Sequence, residues 1–351
     1  MQPRVDVFCH ILPKKYEEAR WQRFQKNPFA EHSPSHLKYV RGGKAEQLNY
    51  QVLVDLEERF RMMEEMDNYR QVLSVASPPP EVVSPEDSDY LSKIVNDEMA
   101  ELVEKYPRHF AGAVATLPMN KPEIAARELE RSIQELKLVG VQLFSNVLGK
   151  PLDLPEFRPI FQMMAQHDLP ILLHPARPRS HPDYLTENSS RYLIWQVFGW
   201  PYESTAAMAQ IAFGGVLDDY PNLKIIVHHT GAMVPFFQGR MHAMYTVFEP
   251  LLEEERGCPL KKPALEYFRC FYGDTSTFTT ASIECACDFF GPDHILFGTD
   301  APFDAEGGRF SIRESTAAIE NSSLSAADKS KIFHQNFERL FRLSAATVAR
   351  A

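Results

Sequence analysis

Eight short, apolar, β-branched runs recur along the chain with longer amphipathic stretches between them, and that alternation restricts the folds open to it. The runs are 5–10, 71–76, 110–116, 140–144, 170–174, 224–229, 270–274 and 294–298. Most stop at a polar or Pro-bearing break: CHILP, ASPPP, ATLPMN, LFSN, LLHPA, VHHTG, YGDTS and FGTDAPF. Strands of this length alternating with helical patterns read as successive βα units around a parallel sheet. The stretches 89–105, 122–138, 156–167 and 205–219 place their apolar residues near a 3.6 period, as crossover helices do. Eight such units close most simply into a (β/α)8 barrel. The rival, a doubly wound open sheet, calls for a Gly-rich first turn, whereas the turn after the first run here is His-Ile-Leu-Pro.

A barrel of this type routinely runs past ~250 residues as one domain, so the whole of 1–351 is expected to form a single barrel domain. Residues 14–60 have no place in a minimal barrel. They carry Trp21, Phe24, Phe29, Tyr39 and Tyr50 directly after the first run, and are read as a long insertion covering the mouth. The Pro-rich stretch 78–85 reads as a shorter loop of the same kind.

Composition narrows the partners. Hydrophobic content of 44% with 24% charged residues is that of a globular chain able to bury a core. A net charge of −10 disfavours nucleic acid, whose binding rests on Lys and Arg neutralising phosphates. No apolar run approaches the ~20 residues of a membrane span, and the start MQPRVDVFCHILPKK is too short in apolar residues for a signal peptide. The five cysteines show no regular framework, so a reducing compartment and a cytoplasmic location are expected. Cys285 and Cys287 form only C-x-C and read as small buried side chains.

Barrel enzymes place their chemistry at the C-terminal ends of the strands. Those ends carry His10, His174, His228 or His229, Asp274 and Asp300. One histidine at such a border reads as a hydrogen-bonded structural residue; several converging on one rim read as a site. Imidazole and carboxylate together suit a divalent metal, Zn first, with Mn or Fe as alternatives.

The segments VDVFCHILP, GAVATLPM, LLHP, GWPYESTAAM, GGVLDDYPNLKIIVHHTGAMVPFFQGR and ILFGTDAPF resemble, in order and spacing, the motifs of the amidohydrolase superfamily. The likeness is to the branch typified by α-amino-β-carboxymuconate-ε-semialdehyde decarboxylase, and it runs from about residue 4 to about residue 342. It implies that His10, His174 and Asp300 hold one metal ion. It also implies that His229, with Gly231 and Pro235 in an H-x-G-x-x-x-P motif, is a general acid/base. His228 is a histidine that the motif does not require, and strand alternation puts His228 and His229 on opposite faces, with the motif favouring His229 as the inward one. Arg240, in FxxGR, is implied to reach a substrate carboxylate across a homodimer interface.

The departure from the family lies at position 8. Relatives carry His or Glu there, and this chain has Phe8. Asp6, Phe8 and His10 share a face, so Cys9 points away, and Asp6 sits ~7 Å lower in the barrel. Either three protein ligands keep the metal with water completing the shell, or the metal is absent and His174, His229 and Asp300 transfer protons alone. A second family arginine, expected in 42–58, is missing; that stretch holds only Lys44, and Arg177 or Arg179 in HPARPRSH can supply the charge. Trp200, with Tyr202 beside it, and Phe8 are candidate contacts for a flat substrate. Asp274 reads either as the partner that orients a ligand histidine or as a helix cap. The expected activity is non-oxidative decarboxylation of a small unsaturated or aromatic carboxylic acid. The alternatives are metal-dependent hydrolysis of a lactone, ester or C–C bond, and a non-catalytic ligand-binding barrel.

Overall fold

The computed structural model describes residues 2–24 and 50–343. Strand β1 (Arg4–Ile11) pairs with β2 (Tyr69–Val75), and β2 with β3 (Phe110–Ala113), all in parallel. A second parallel sheet follows in the order β4 (Val141–Phe144), β5 (Pro170–His174), β6 (Lys224–Val227) and β7 (Tyr272–Gly273). The sheets meet at a parallel bridge between Ala115 and Val141, where Ala115 N donates to Gly140 O at 2.9 Å and Gln142 N to Ala115 O at 2.8 Å. The eighth run, 294–298, and the residues just after it are held by parallel bridges from Ile295 to Gly273 and from Ala301 to Cys9. Leu296 N donates to Gly273 O, Val7 N to Phe297 O and Asp300 N to Phe8 O, which carries the hydrogen bonding from β7 back to β1. This is the (β/α)8 arrangement that the eight runs imply.

Several runs are shorter as strands than their composition suggests, the third and sixth for identifiable reasons. The third stops at Ala113, and Thr116 N bonds instead to the Asn96 side chain at 2.9 Å. The sixth stops at Val227, because His229 and Thr230 take φ near 60° and Thr230 N turns to Asp274 Oδ1 at 2.7 Å.

The helices lie between strands in the expected order: α1 (Lys14–Phe24), α2 (Leu56–Glu64), α3 (Pro85–Lys105), α4 (Pro122–Gln134), α5 (Arg158–His167), α6 (Gly199–Phe213), α7 (Gln238–Val247), α8 (Glu249–Arg256), α9 (Thr280–Phe290) and α10 (Arg309–Glu320). The start of α3 shows why such segments become helices. Ser84 accepts from Asp87 N, Pro85 needs no partner for its missing N–H, and Glu86 and Asp87 sit at the positive end of the helix dipole. Of the expected insertion 14–60, the described residues form α1, a 3-10 turn (Tyr50–Leu53) and the start of α2. Residues 25–49, including Phe29, Tyr39 and Lys44, lie outside the described residues. Among the described residues no helix is long and apolar enough to cross a membrane.

The apolar residues sort into two shells by strand alternation. Ile171 and Leu173 of β5, and Ile225 and Val227 of β6, pack outward into the layer shared with the helices. Leu172, Ile226, Phe8 and Leu296 pack together in the second shell, with Phe337, Leu340 and Phe341 against them. That inner set decides which later residues enter the mouth.

Candidate metal centre

Two residues beyond Phe8, Leu172 and Ile226 on the same strand faces stand His10, His174 and His228, all buried. Each has its Nδ1 atom engaged. His10 Nδ1 lies 3.2 Å from Ser74 Oγ, and His174 Nδ1 lies 2.8 Å from Pro175 O. His228 Nδ1 faces the Asp274 carboxylate and lies 3.2 Å from Ser276 Oγ. A carbonyl or carboxylate only accepts, so Nδ1 of His174 and His228 carries a proton and Nε2 is the atom left to ligate. The rings face one another, with centroids 5.1 Å apart for His10 and His174, 5.4 Å for His174 and His228, and 5.9 Å for His10 and His228. One ligand atom from each lies within 4.8 Å of the others. Asp300, at the end of the eighth run with φ 58°, brings Oδ1 to 3.3 Å from both His10 Nε2 and His228 Nε2.

His10 Nε2 and His228 Nε2 are buried without a hydrogen-bond partner among the described residues. Buried polar atoms are seldom left so, and a set of imidazole nitrogens around one carboxylate is the donor set of a transition-metal site. The residues fit a divalent ion.

The electrostatics separate the neutral imidazoles of His174 and His229 from a charged His228 set between two carboxylates. Burial and the neighbouring His10 and His228 hold His174 well below its ordinary value, and burial with His228 lowers His229. Burial alone would lower His228 too, but Asp274 and Asp300 overcome it and push it up to about 10. Asp300 is held well below the carboxylate range, its burial outweighed by the charge of His228 and by the His10, His228 and His229 imidazoles that face it.

The turn after β6 corrects the reading of the paired histidines. Ile226 points inward, so alternation sends His228 inward as well, and it is His228 that is fully buried in the cluster. His229 then leaves the strand in a left-handed conformation and swings to the same rim. Its ring stacks on His228 at 4.0 Å, its Nε2 lies 3.9 Å from Asp300 Oδ2, and its side chain is 15% exposed. Both histidines therefore face the mouth, at different depths. Gly231, next along at φ 75°, completes the turn; a Cβ there would meet Phe290 Cε2 at 2.4 Å.

The remaining candidates fall in several places. Phe8 is corrected as a substrate contact: it has no exposed surface and lies flat against the His228 ring, centroids 4.1 Å apart and planes at 11°. It supports the histidines from below. Trp200 stands beside His174 at 5.7 Å and His229 at 6.2 Å, its indole N–H donating to Arg177 O at 3.2 Å, and so walls the mouth. The Arg177 guanidinium meets Asp183 at 3.4 Å and Glu203 at 3.2 Å, which matches its charge twice. Arg179 bonds to Ser190 O, and Tyr202 is exposed. Arg240 is exposed on α7, a helix that buries none of its residues.

Two supports escaped the sequence. Arg59 of α2 is buried and donates to Val52 O at 3.1 Å, to Gln71 Oε1 and to the backbone carbonyl of His10, fixing the strand that carries this ligand candidate. Asp6 accepts from Tyr69, Thr299 and Phe8 N, tying β1 to the eighth run; burial pushes its carboxyl up to about 7 against those bonds. An arginine one residue beyond the stretch expected to bind substrate was the available signal for the first. Only the pairing of distant strands reveals the second.

With this geometry in place, comparison with known proteins is specific. A family model described as amidohydrolase matches residues 35–343. A gamma-resorcylate decarboxylase of Polaromonas sp. is 32% identical over 302 residues, 83% of this chain and 89% of the relative. A 2-amino-3-carboxymuconate-6-semialdehyde decarboxylase of Dictyostelium discoideum is 30% identical over 317 residues, 86% of this chain and 82% of the relative. Among solved structures, a dihydroxybenzoic acid decarboxylase from Polaromonas sp., with bound manganese and the inhibitor 2-nitroresorcinol, superposes with a TM-score of 0.78 at 26% identity, covering 100% of both chains.

Proposed function

The chain belongs to the amidohydrolase family, and from that premise we propose that it is a non-oxidative decarboxylase of a small aromatic carboxylic acid. One observation carries the reading: His10, His174, His228 and Asp300 converge beneath a partly exposed His229, in a chain whose relatives include a gamma-resorcylate decarboxylase and a 2-amino-3-carboxymuconate-6-semialdehyde decarboxylase.

His10, His174 and Asp300 would hold a divalent ion, zinc by the imidazole-rich donor set or manganese by likeness to the Polaromonas structure. When bound, that ion supplies Lewis acidity toward substrate oxygens. The chain's own groups do the rest. Trp200, Phe144 at 5.1 Å from His174 and Phe303 at 5.4 Å from His10 form flat apolar walls that suit an aromatic ring and exclude water. His229 rests neutral, takes a proton from a substrate hydroxyl or solvent, and delivers it to the carbon bearing the carboxylate. The C–C electron pair then returns to the ring as CO2 departs. Asp300, 3.9 Å from His229 Nε2, stabilises the imidazolium between those two transfers.

The carboxylate needs a cation, and Arg240 is our candidate, brought from a second subunit of a homodimer. Supporting this, α7 and α8 bury none of their residues and expose Met244, Val247 and Leu251, with Phe248 between the two helices and Phe236 at the approach to α7 also exposed. We further read the chain as one barrel unit, which the hold of Arg59 of α2 on His10 supports, and as cytoplasmic, which five free cysteines support. The test is a screen of metal-loaded protein against carboxylated phenols and dienes for CO2 release. Turnover of at least one class supports the reading, whereas lactone or ester cleavage without CO2 overturns it.

A further inference from the structure

We propose that His228 is itself a metal ligand, replacing the strand-one ligand lost at position 8, and that Phe8 has become the platform that holds its ring. The proposal rests on the reading above that the cluster binds a divalent ion.

Four observations converge on His228. Its Nδ1 is committed to Asp274 and Ser276, which leaves Nε2 as its only free donor atom, and Nε2 is buried without a hydrogen-bond partner among the described residues. A carboxylate behind the distal nitrogen of an imidazole is the arrangement that orients ligand histidines. Next, Nε2 stands 3.3 Å from Asp300 Oδ1, the same distance as Nε2 of His10, so that carboxylate oxygen lies evenly between the two imidazoles. Third, His10, His174 and His228 can each bring one ligand atom within 4.8 Å of the other two. Finally, Phe8 lies against the His228 ring at 4.1 Å with nearly parallel planes, so the residue that cannot ligate packs directly under the one that can. Together His10, His174, His228 and Asp300 form a three-imidazole, one-carboxylate set with four protein donors.

The neighbour divides the labour. His228 has no exposed surface and is enclosed by Phe8, His10, His174 and Asp300, so its Nε2 has no path to a substrate carbon. His229, turned outward by its left-handed backbone and 15% exposed beside Trp200, does. A proton-transfer role for His228 is therefore the competing assignment, and coordination separates the two.

The experiment loads chelator-treated, full-length protein with Co2+. Proton NMR then counts the exchangeable imidazole N–H signals shifted by the paramagnetic ion, alongside a calorimetric Co2+ titration. Coordination through Nε2 leaves one Nδ1–H on each ligand histidine, so the wild type should show three shifted signals. His228→Asn should remove one and weaken Co2+ binding by more than ~100-fold, beyond the 10- to 100-fold usual for loss of an outer partner. His229→Asn should keep all three. Two signals in the wild type overturn the proposal and leave the metal reading intact, as does a third signal lost in His229→Asn but retained in His228→Asn. A wild type that binds no Co2+ overturns both. The wild-type count decides the matter even if His228→Asn fails to fold.

Discussion

Asp274→Asn isolates the electrostatics on which the site stands. Asp274 is fully buried, its Oδ2 faces His228 Nδ1, and its Oδ1 accepts from Thr230 N at 2.7 Å, Ser276 N at 3.1 Å and Ser276 Oγ at 2.9 Å. Asparagine can keep those Oδ1 bonds but places an amide N–H2 against Nδ1 and removes the charge. In metal-free protein His228 is then a buried cation short of one partner, a change that costs about 3–5 kcal/mol. With an unfolding entropy of ~2.1 cal/mol/K per residue over a chain of this length, that is a fall in Tm of about 4–7 °C. The pH dependence follows from the sign of the shifts. His228 is raised in the folded state, so its contribution is complete below the unfolded value of 6.5 and is lost as pH rises through about 10. Asp274 is lowered, so its contribution is present above 3.8 and lost as pH falls through its folded value. The stability gap between wild type and Asp274→Asn is thus widest near pH 5–6.5 and closes toward pH 10. Thermal melts of chelator-treated proteins across that range measure it. A gap that does not vary with pH, or a variant as stable as the wild type, would show that Asp274 does not hold His228 as a buried cation.

Three further expectations follow from the same geometry. His229→Asn should lower turnover by ~10²–10⁴-fold with a much smaller change in substrate binding, measured as kcat against KM on a common substrate; an unchanged kcat removes His229 from proton transfer. Gly231→Ala meets both a left-handed φ of 75° and Phe290 Cε2 at 2.4 Å, so it should cost about 2–4 kcal/mol in urea unfolding, and wild-type stability would show that the turn relaxes freely. Sedimentation of the wild type should give twice the single-chain mass, and Arg240→Ala should raise KM for the carboxylate while preserving that mass; a monomer in the presence of substrate excludes Arg240 from the site.

Much of the barrel was legible because each buried strand is a short apolar run closed by a polar break, and the rim histidines stand at those breaks. The same property hid the orientation of the sixth run. Ile225, Ile226 and Val227 are apolar on both faces, as expected of a strand covered on both sides, so no pattern marks which face is inner. Only packing shows that Ile226, and therefore His228, points in. The left-handed turn that returns His229 to the same rim depends on Asp274, 44 residues away from Thr230, and local propensity carries no trace of it. Phe8 was legible as a missing ligand, but its place under His228 required the neighbouring strand. The charge of Arg177 read as available because Asp183 and Glu203 meet it only once the loop and α6 are folded together.

The proposed reaction replaces a carboxylate on an aromatic carbon with a proton. The direct measurement is turnover of a carboxylated phenol, labelled with 13C in the carboxylate, by metal-loaded protein in D2O, followed by NMR and mass spectrometry. Proton delivery by His229 should give 13CO2 and a phenol carrying one deuterium at the carbon that bore the carboxylate, with both signals lost together in His229→Asn. A product that retains the 13C label, or 13CO2 formed equally fast by His229→Asn, would contradict it.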